Sequence, residues 1–366
     1  MRHSVVELDL ARFTQNVHAI HDALPDGCEL VQVIKADAYG HGVEHIAPAA
    51  LSAGVRAFSV AHADEAFQLR RLCGEGVRII LLGVSDPVEL ADLVQEDVEL
   101  MIPDLATLKL YEEVAVESEI CIRAHVKVDT GMGRFGVLWT NARGLVEKIQ
   151  ASRHVEPVGL CSHFSSADEN ADFSAVQLDR FRELLRELDG CSFFRHMANT
   201  AGFQHVSGSD FDGIRVGLGL LGYDSGQGSI RADTQPVLSW STTIAQIREL
   251  PEGATVGYGS TFVAPRSLRV AVCNIGYADG FPRRLSSDAY VLVHGRRCRV
   301  LGRVSMNWIT VDVTDCHKLA VGDPVCLIGA SGDEVLTAAD LAGWADTIVY
   351  DVLTGIRPVE VRARSL

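Results

Sequence analysis

The chain has 366 residues, 47% hydrophobic and 22% charged, a soluble globular mix long enough for two domains. Its formal net charge of −15 argues against a nucleic-acid or anionic-membrane partner, which would repel it. Apolar runs such as 77–84 are strand-length, far short of the ~20 residues a bilayer requires.

The N-terminus, Met1-Arg2-His3-Ser4, passes to Glu7 and Asp9 without an apolar export segment. Nine cysteines without a CxxC pair point to a reducing compartment with free thiols, so the expected location is cytoplasmic. Residues 4–8 read as a strand able to pair with either of two domains. Short apolar, β-branched runs follow at 30–34, 57–61, 78–82, 98–102, 121–128, 158–162, 193–197 and 213–217. Amphipathic stretches separate them. In 171–188 the apolar stripe comprises Phe173, Val176, Leu178, Phe181, Leu184, Leu185 and Leu188. Eight strands each feeding a helix predict an α/β fold, a (β/α)8 barrel, with a doubly wound open sheet as the alternative. Residues 224–235, rich in Gly, Ser and Asp, read as a linker. Beyond it lie β-type runs at 238–247, 269–275, 290–293, 297–304, 308–313 and 324–328. With turns at His294-Gly295 and Val321-Gly322-Asp323, they predict a mostly β domain. The division is 1–230 for the barrel and 231–366 for the β domain, with residues 1–10 able to join the latter.

Barrels of this kind build active sites just past the C-terminal ends of their strands. The first strand ends Val33-Ile34-Lys35-Ala36-Asp37-Ala38-Tyr39-Gly40. A lysine against a buried strand is costly to keep charged, and desolvation suits its amine to imine formation with a carbonyl cofactor. A strand-end lysine reaching solvent would show the same segment. The fifth strand ends Lys127-Val128-Asp129-Thr130-Gly131-Met132-Gly133-Arg134. Its glycines permit a tight turn, and Arg134 offers a planar fork for a carboxylate or phenolate oxygen. The sixth ends Cys161-Ser162-His163-Phe164, where a structural histidine and a ring stacked on a cofactor are both open. No second histidine stands at metal-ligand spacing, so no metal is expected. Asn199-Thr200 after the seventh strand and Gly217-Leu218 after the eighth can together build a phosphate cradle. The chain lacks GxxxxGK[ST], the phosphate loop of P-loop nucleotide sites, and a dinucleotide is not expected. In the β domain, Tyr258 between Gly257 and Gly259, Tyr277 beside Gly276, and Arg303 after Gly302 each read, taken singly, as turns.

Together these segments resemble alanine racemase, the barrel-type family of pyridoxal-phosphate enzymes, from the Lys35 strand to Arg303. The resemblance implies pyridoxal 5′-phosphate as cofactor, Lys35 as Schiff-base lysine and catalytic base, and Tyr258 as second base. It implies a homodimer with shared active sites, Tyr258 and the pocket-lining Met306 arriving from the partner chain. Tyr39, Thr200, Gly217, Leu218 and Tyr350 or a neighbour of it would surround the phosphate, beside Asn199. Arg215 would face the pyridine nitrogen, and His163 would stack near the ring and hydrogen-bond Arg215. Arg134 would contact the ring hydroxyl and the substrate carboxylate, and Lys127 matches a lysine that is carbamylated in some members and steadies that arginine. Asp168, Tyr277, Arg283 and Arg303 match residues of the entry channel. Two positions depart from the pattern: Asn307 stands where many members carry aspartate, and Ile356 where some carry a tyrosine.

The implied activity is interconversion of L- and D-alanine by two bases on opposite faces of one carbon, supplying D-alanine for peptidoglycan. A guanidinium stays protonated, so Arg215 would donate to the pyridine nitrogen without protonating it, which disfavours transamination. A broad-specificity or serine racemase on the same scaffold is the nearest alternative. A decarboxylase of the same barrel type fits the Gly-Tyr-Gly turn less well, and a non-catalytic pyridoxal-phosphate carrier would need neither the second domain nor Tyr258.

Overall fold

Val98–Ile102 and Ala57–Val60 are buried at every position, the pattern of parallel strands covered on both faces. The computed structural model that contains them describes residues 4–223 and 231–364. Met1-Arg2-His3 and 224–230, part of the expected linker, lie outside the described residues. The described residues of 12–38 and 43–235 form one compact unit, and those of 1–11, 39–42 and 236–366 another.

In the first unit the strands are Glu29–Val33, Ala57–Val60, Arg78–Leu81, Val98–Ile102, Ile122–Asp129, Val155–Cys161, Phe194–His196 and Gly213–Val216. Each pairs in parallel with the next. The last returns to the first, from Gly213↔Glu29 to Val216↔Gln32, and the sheet closes into an eight-stranded barrel. The open-sheet alternative is excluded. Helices fill the crossovers. In Ala171–Glu187, Leu178, Phe181 and Leu184 face inward as expected, but Val176 is exposed. Ser174 and Gln177 hold buried positions instead, and Gln177 is satisfied there by Ser165 N (3.0 Å) and His163 O (3.1 Å).

In the second unit, the long strand Leu238–Leu250 pairs antiparallel with Leu268–Cys273 and with Pro324–Ser331. Ile309–Asp312, Arg296–Leu301 and Tyr290–Val293 complete an antiparallel ring. The N-terminal strand Val5–Asp9 lies in this unit, antiparallel to Leu238–Leu250 and parallel to Glu360–Arg364. Trp240, fully buried, ties it down by donating to Ser4 Oγ at 2.9 Å. His294 and Gly295 both take positive φ (49° and 75°), as a tight two-residue hairpin requires. The helices Ala338–Ala345 and Val349–Gly355 had not been anticipated from sequence, although Thr337 and Asp340 form a reciprocal capping box. Among the described residues no helix is long and apolar enough to cross a membrane.

Candidate active site

The first barrel strand ends with Ile34 N donating to Ser59 O at 2.9 Å. The chain then turns through Lys35–Gly40 with Ala36, Asp37, Ala38 and Tyr39 all in the left-handed region, φ 51–54°. Such a conformation costs roughly 1–2 kcal/mol per residue, so neighbours must hold it. Glu65 does so from the start of the Ala63–Cys73 helix: Oε1 accepts from Ala36 N at 2.6 Å, and Oε2 from Ala61 N at 2.8 Å and His62 N at 3.2 Å. Asp37 Oδ1 accepts from Val43 N at 2.7 Å. The half-buried Lys35 amine is pushed down by burial and then by the Arg134 guanidinium, with Glu65 pulling the other way. Sequence reasoning missed Glu65. Its signal was available as the carboxylate at the third position of a helix that begins after His62.

After the fifth strand, Asp129 Oδ1 accepts from Gly131 N (2.8 Å) and Met132 N (2.9 Å), folding the loop that exposes Arg134. Burial, then the Arg215 and Arg134 charges, push the Lys127 amine down to about 8. Arg215 is buried in the barrel. Its Nη1 donates to His196 Nδ1 (2.6 Å) and His196 O (3.0 Å), and its Nη2 to Ser162 O (2.7 Å), Met197 O (3.0 Å) and His163 Nδ1 (3.2 Å). Those bonds occupy both terminal nitrogens and leave Nε as the fork's remaining donor. Burial, then Arg215, Lys127 and Arg134, hold His163 neutral well below its ordinary range. The barrel thus brings Lys35, Lys127, Arg134, His163 and Arg215 into one electrostatically coupled cluster that favours an anionic ligand.

The seventh and eighth strand ends meet at Thr200. Its Oγ1 accepts from Gly217 N (3.4 Å) and Gly219 N (3.3 Å), while Asn199 Oδ1 caps the short Thr200–His205 helix through Gly202 N (2.8 Å). Leu218 starts the turn beside them. Asp168 lies half-buried in the loop after the sixth strand, and no described hydrogen bond or ion pair joins it to the cluster.

In the second unit, Gly257 (φ 72°) and Gly259 (φ 74°) turn the chain so that Tyr258 is 72% exposed. Arg303 packs against this turn: a Cβ at Gly259 would lie 3.2 Å from Arg303 Nη1. The Tyr277 turn rests on the Met306 loop, with Tyr277 N donating to Ser305 O (3.1 Å) and Ala278 N to Met306 O (3.0 Å). Tyr39 and Tyr350 meet edge-to-face at 5.9 Å, and Ile356 is buried at the end of the Tyr350 helix. Arg283 sits in a short turn, with no described bond to Tyr277.

Two family models divide the chain: alanine racemase, N-terminal domain, over residues 8–225, and alanine racemase, C-terminal domain, over residues 237–363. Alanine racemase of Halothermothrix orenii is 36% identical over 96% of this chain and 93% of its own length. That of Syntrophobacter fumaroxidans is 36% identical over 97% and 96%. Among solved structures, alanine racemase from E. faecalis superposes with a TM-score of 0.92 at 29% identity, covering 99% of this chain and 98% of that one. Alanine racemase from Bacillus anthracis with bound L-Ala-P gives 0.90 at 31%, covering 97% and 93%. With the barrel cluster, the exposed Tyr258 turn and matches along nearly its whole length, the chain belongs to the alanine racemase family.

Proposed function

We propose that the protein interconverts L- and D-alanine with pyridoxal 5′-phosphate, in a homodimer whose sites are shared between chains, supplying D-alanine for peptidoglycan in the cytoplasm. The observation that carries this reading is the cationic cluster around the depressed Lys35 amine, beside backbone donors converging on Thr200. These donors fit a phosphate, and an amine of lowered basicity fits an aldehyde. Bound there, the cofactor would supply an aldehyde reactive towards amines and an electron-withdrawing ring that lowers the cost of removing the Cα proton.

This chain's residues do the rest. Asn199, Thr200, Gly217 and Leu218 would hold the phosphate. Arg215 would donate to the ring nitrogen and keep its own proton, and His163, kept neutral, would stack near the ring. Arg134 grips the substrate carboxylate, steadied by Lys127. Lys35 and Tyr258 of the partner chain serve opposite faces of Cα: one takes the proton and the other gives one back, so the balance is zero. Met306 bounds the pocket from the partner chain, and Asp168, Tyr277, Arg283 and Arg303 line its entrance. The domain roles follow, 1–230 binding the cofactor and 231–366 delivering the second base. Exposure of Tyr258 (72%) and Met306 (55%) supports a surface covered by a second copy.

Mixing Lys35→Ala with Tyr258→Ala protein tests the reading. If sites are shared, each mixed dimer holds one intact site, and random exchange restores about a quarter of wild-type activity. No restoration ends the shared-site reading. Circular dichroism over a panel of L-amino acids separates alanine from serine or broad specificity.

A further inference from the structure

Inside the barrel lies a line of buried polar groups that the reaction above does not use. Glu99 on the fourth strand, His125 on the fifth and His196 on the seventh are each fully buried. Glu99 Oε2 meets His125 Nε2 at 2.7 Å, His125 Nδ1 meets His196 Nε2 at 2.8 Å, and His196 Nδ1 meets Arg215 Nη1 at 2.6 Å. At the far end, Arg78 Nε and Arg123 Nη2 brace the carboxylate at 2.8 and 2.5 Å. Arg78 also reaches Glu29 at 3.0 Å and Arg123 reaches Asp97 at 3.0 Å. The sequence makes room for the line: a Cβ at Gly159 would fall 2.0 Å from His125 Nδ1, so only glycine leaves space for that ring.

The proton positions follow from one fact of chemistry. A guanidinium only donates, so His196 Nδ1 must accept. The His196 proton is then on Nε2 and points at His125 Nδ1, which must accept in turn. The His125 proton is on Nε2 and points at Glu99, which accepts as a carboxylate. A proton on His125 Nδ1 would leave His196 facing donors on both sides, so each ring is neutral.

We infer that Glu99, His125 and His196 form a one-way hydrogen-bond chain that fixes Arg215 and carries a balancing negative charge to it. On the function proposed above, they are positioning residues for the cofactor's ring nitrogen, acting through Arg215. The surrounding electrostatics agree. Burial would raise the Glu99 carboxyl, but His125 and Arg78 outweigh it and hold it at about 2. His196 is pushed well down by burial and then Arg215; His125 is lowered by burial too, with Glu99 opposing. Chains of this kind polarise along their length, so removing the distal charge weakens the hold on the guanidinium.

Nitrogen-15 NMR of the full chain, with and without pyridoxal 5′-phosphate, reads the inference without reference to turnover. Expected are Nε2–H tautomers at both His125 and His196, neutral from about pH 5.5 to 9 against an ordinary histidine midpoint of ~6.5. An Nδ1–H tautomer, or titration inside that range, overturns the chain. Glu99→Gln keeps shape and removes charge. It should shift the bound cofactor's absorbance maximum and lower kcat for alanine about tenfold at nearly constant KM. A lower Tm with spectrum and kcat unchanged would make Glu99 structural only and overturn its link to Arg215. Should Glu99→Gln not fold, the wild-type tautomers still decide. A protein that shows these tautomers but never racemises alanine would contradict the proposed function and leave the chain standing.

Discussion

The mouth of the barrel and the turns of the β unit meet the same requirement in opposite ways. In the barrel, Arg215 is buried and its two terminal nitrogens meet protein acceptors, and Lys35 opens a strained turn held by Glu65. In the β unit, Tyr258, between Gly257 and Gly259, and Met306 stand largely in solvent. A preorganised site fixes its donors before ligand arrives; an outward-facing phenol is useful only to something outside its own unit. On the proposed function, the barrel would carry recognition within one chain and the β unit a reagent for another.

The sharpest way to break that contrast is to remove the groups that define it. Lys35→Ala should abolish retained cofactor and cut racemisation by about 10³-fold or more, measured by circular dichroism and by absorbance of the bound cofactor. Retained colour with full activity would sink the barrel's role. Tyr258→Phe should leave cofactor binding untouched while cutting kcat about 10²-fold, since it removes one hydroxyl from an exposed side chain. A change in cofactor affinity in this variant would mean the two regions do not divide the work as stated.

The barrel was legible in the sequence because its strands are continuous apolar runs between amphipathic helices. Its edges were not: the run expected at 158–162 begins at Val155, where the exposed Glu156, followed by Pro157, interrupts the apolar run. The cationic cluster of the candidate site was legible as polar interruptions at strand ends, Lys35 and Arg215 above all. Glu65, Glu99 and His125 were not, for a physical reason. Glu65 acts on backbone N–H groups, and Glu99 and His125 meet across neighbouring strands, so no local pattern reveals either partner. In the β unit the helices near the C-terminus went unread because each is short, the longer being eight residues. Val176 was misassigned because buried Gln177 and Ser174 hide the true inward face behind polar names.

Lys127 tests the electrostatics of the barrel half alone. Its amine falls from the usual 10.5 to about 8 through burial and then the charges of Arg215 and Arg134. Between those pH values the unfolded chain binds the proton and the folded chain does not, so stability should rise with pH through that window. Below pH 8 both states are charged and the penalty is constant. Lys127→Met should therefore be more stable at pH 7 by roughly 2–3 kcal/mol, with the advantage shrinking towards pH 10. Urea unfolding in carbonate-free buffer measures it, and a difference that stays flat with pH contradicts the assignment.

The smallest effect belongs to Thr200, where the cradle can be probed without disturbing its shape. Thr200→Val keeps the methyl that sits under Gly219, whose added Cβ would lie 2.8 Å from Thr200 Cγ2, and removes only Oγ1. The Gly217 and Gly219 N–H groups, at 3.4 and 3.3 Å, then lose an acceptor. Both bonds are long, so their loss should cost only about 1 kcal/mol in the cofactor-free protein. A bound phosphate offers those N–H groups oxygens of its own but can no longer accept from the hydroxyl. Affinity for pyridoxal 5′-phosphate should fall about fivefold, with inorganic phosphate still competing. Unchanged affinity, or phosphate that fails to compete, would move the anion site away from the junction of the last two strands.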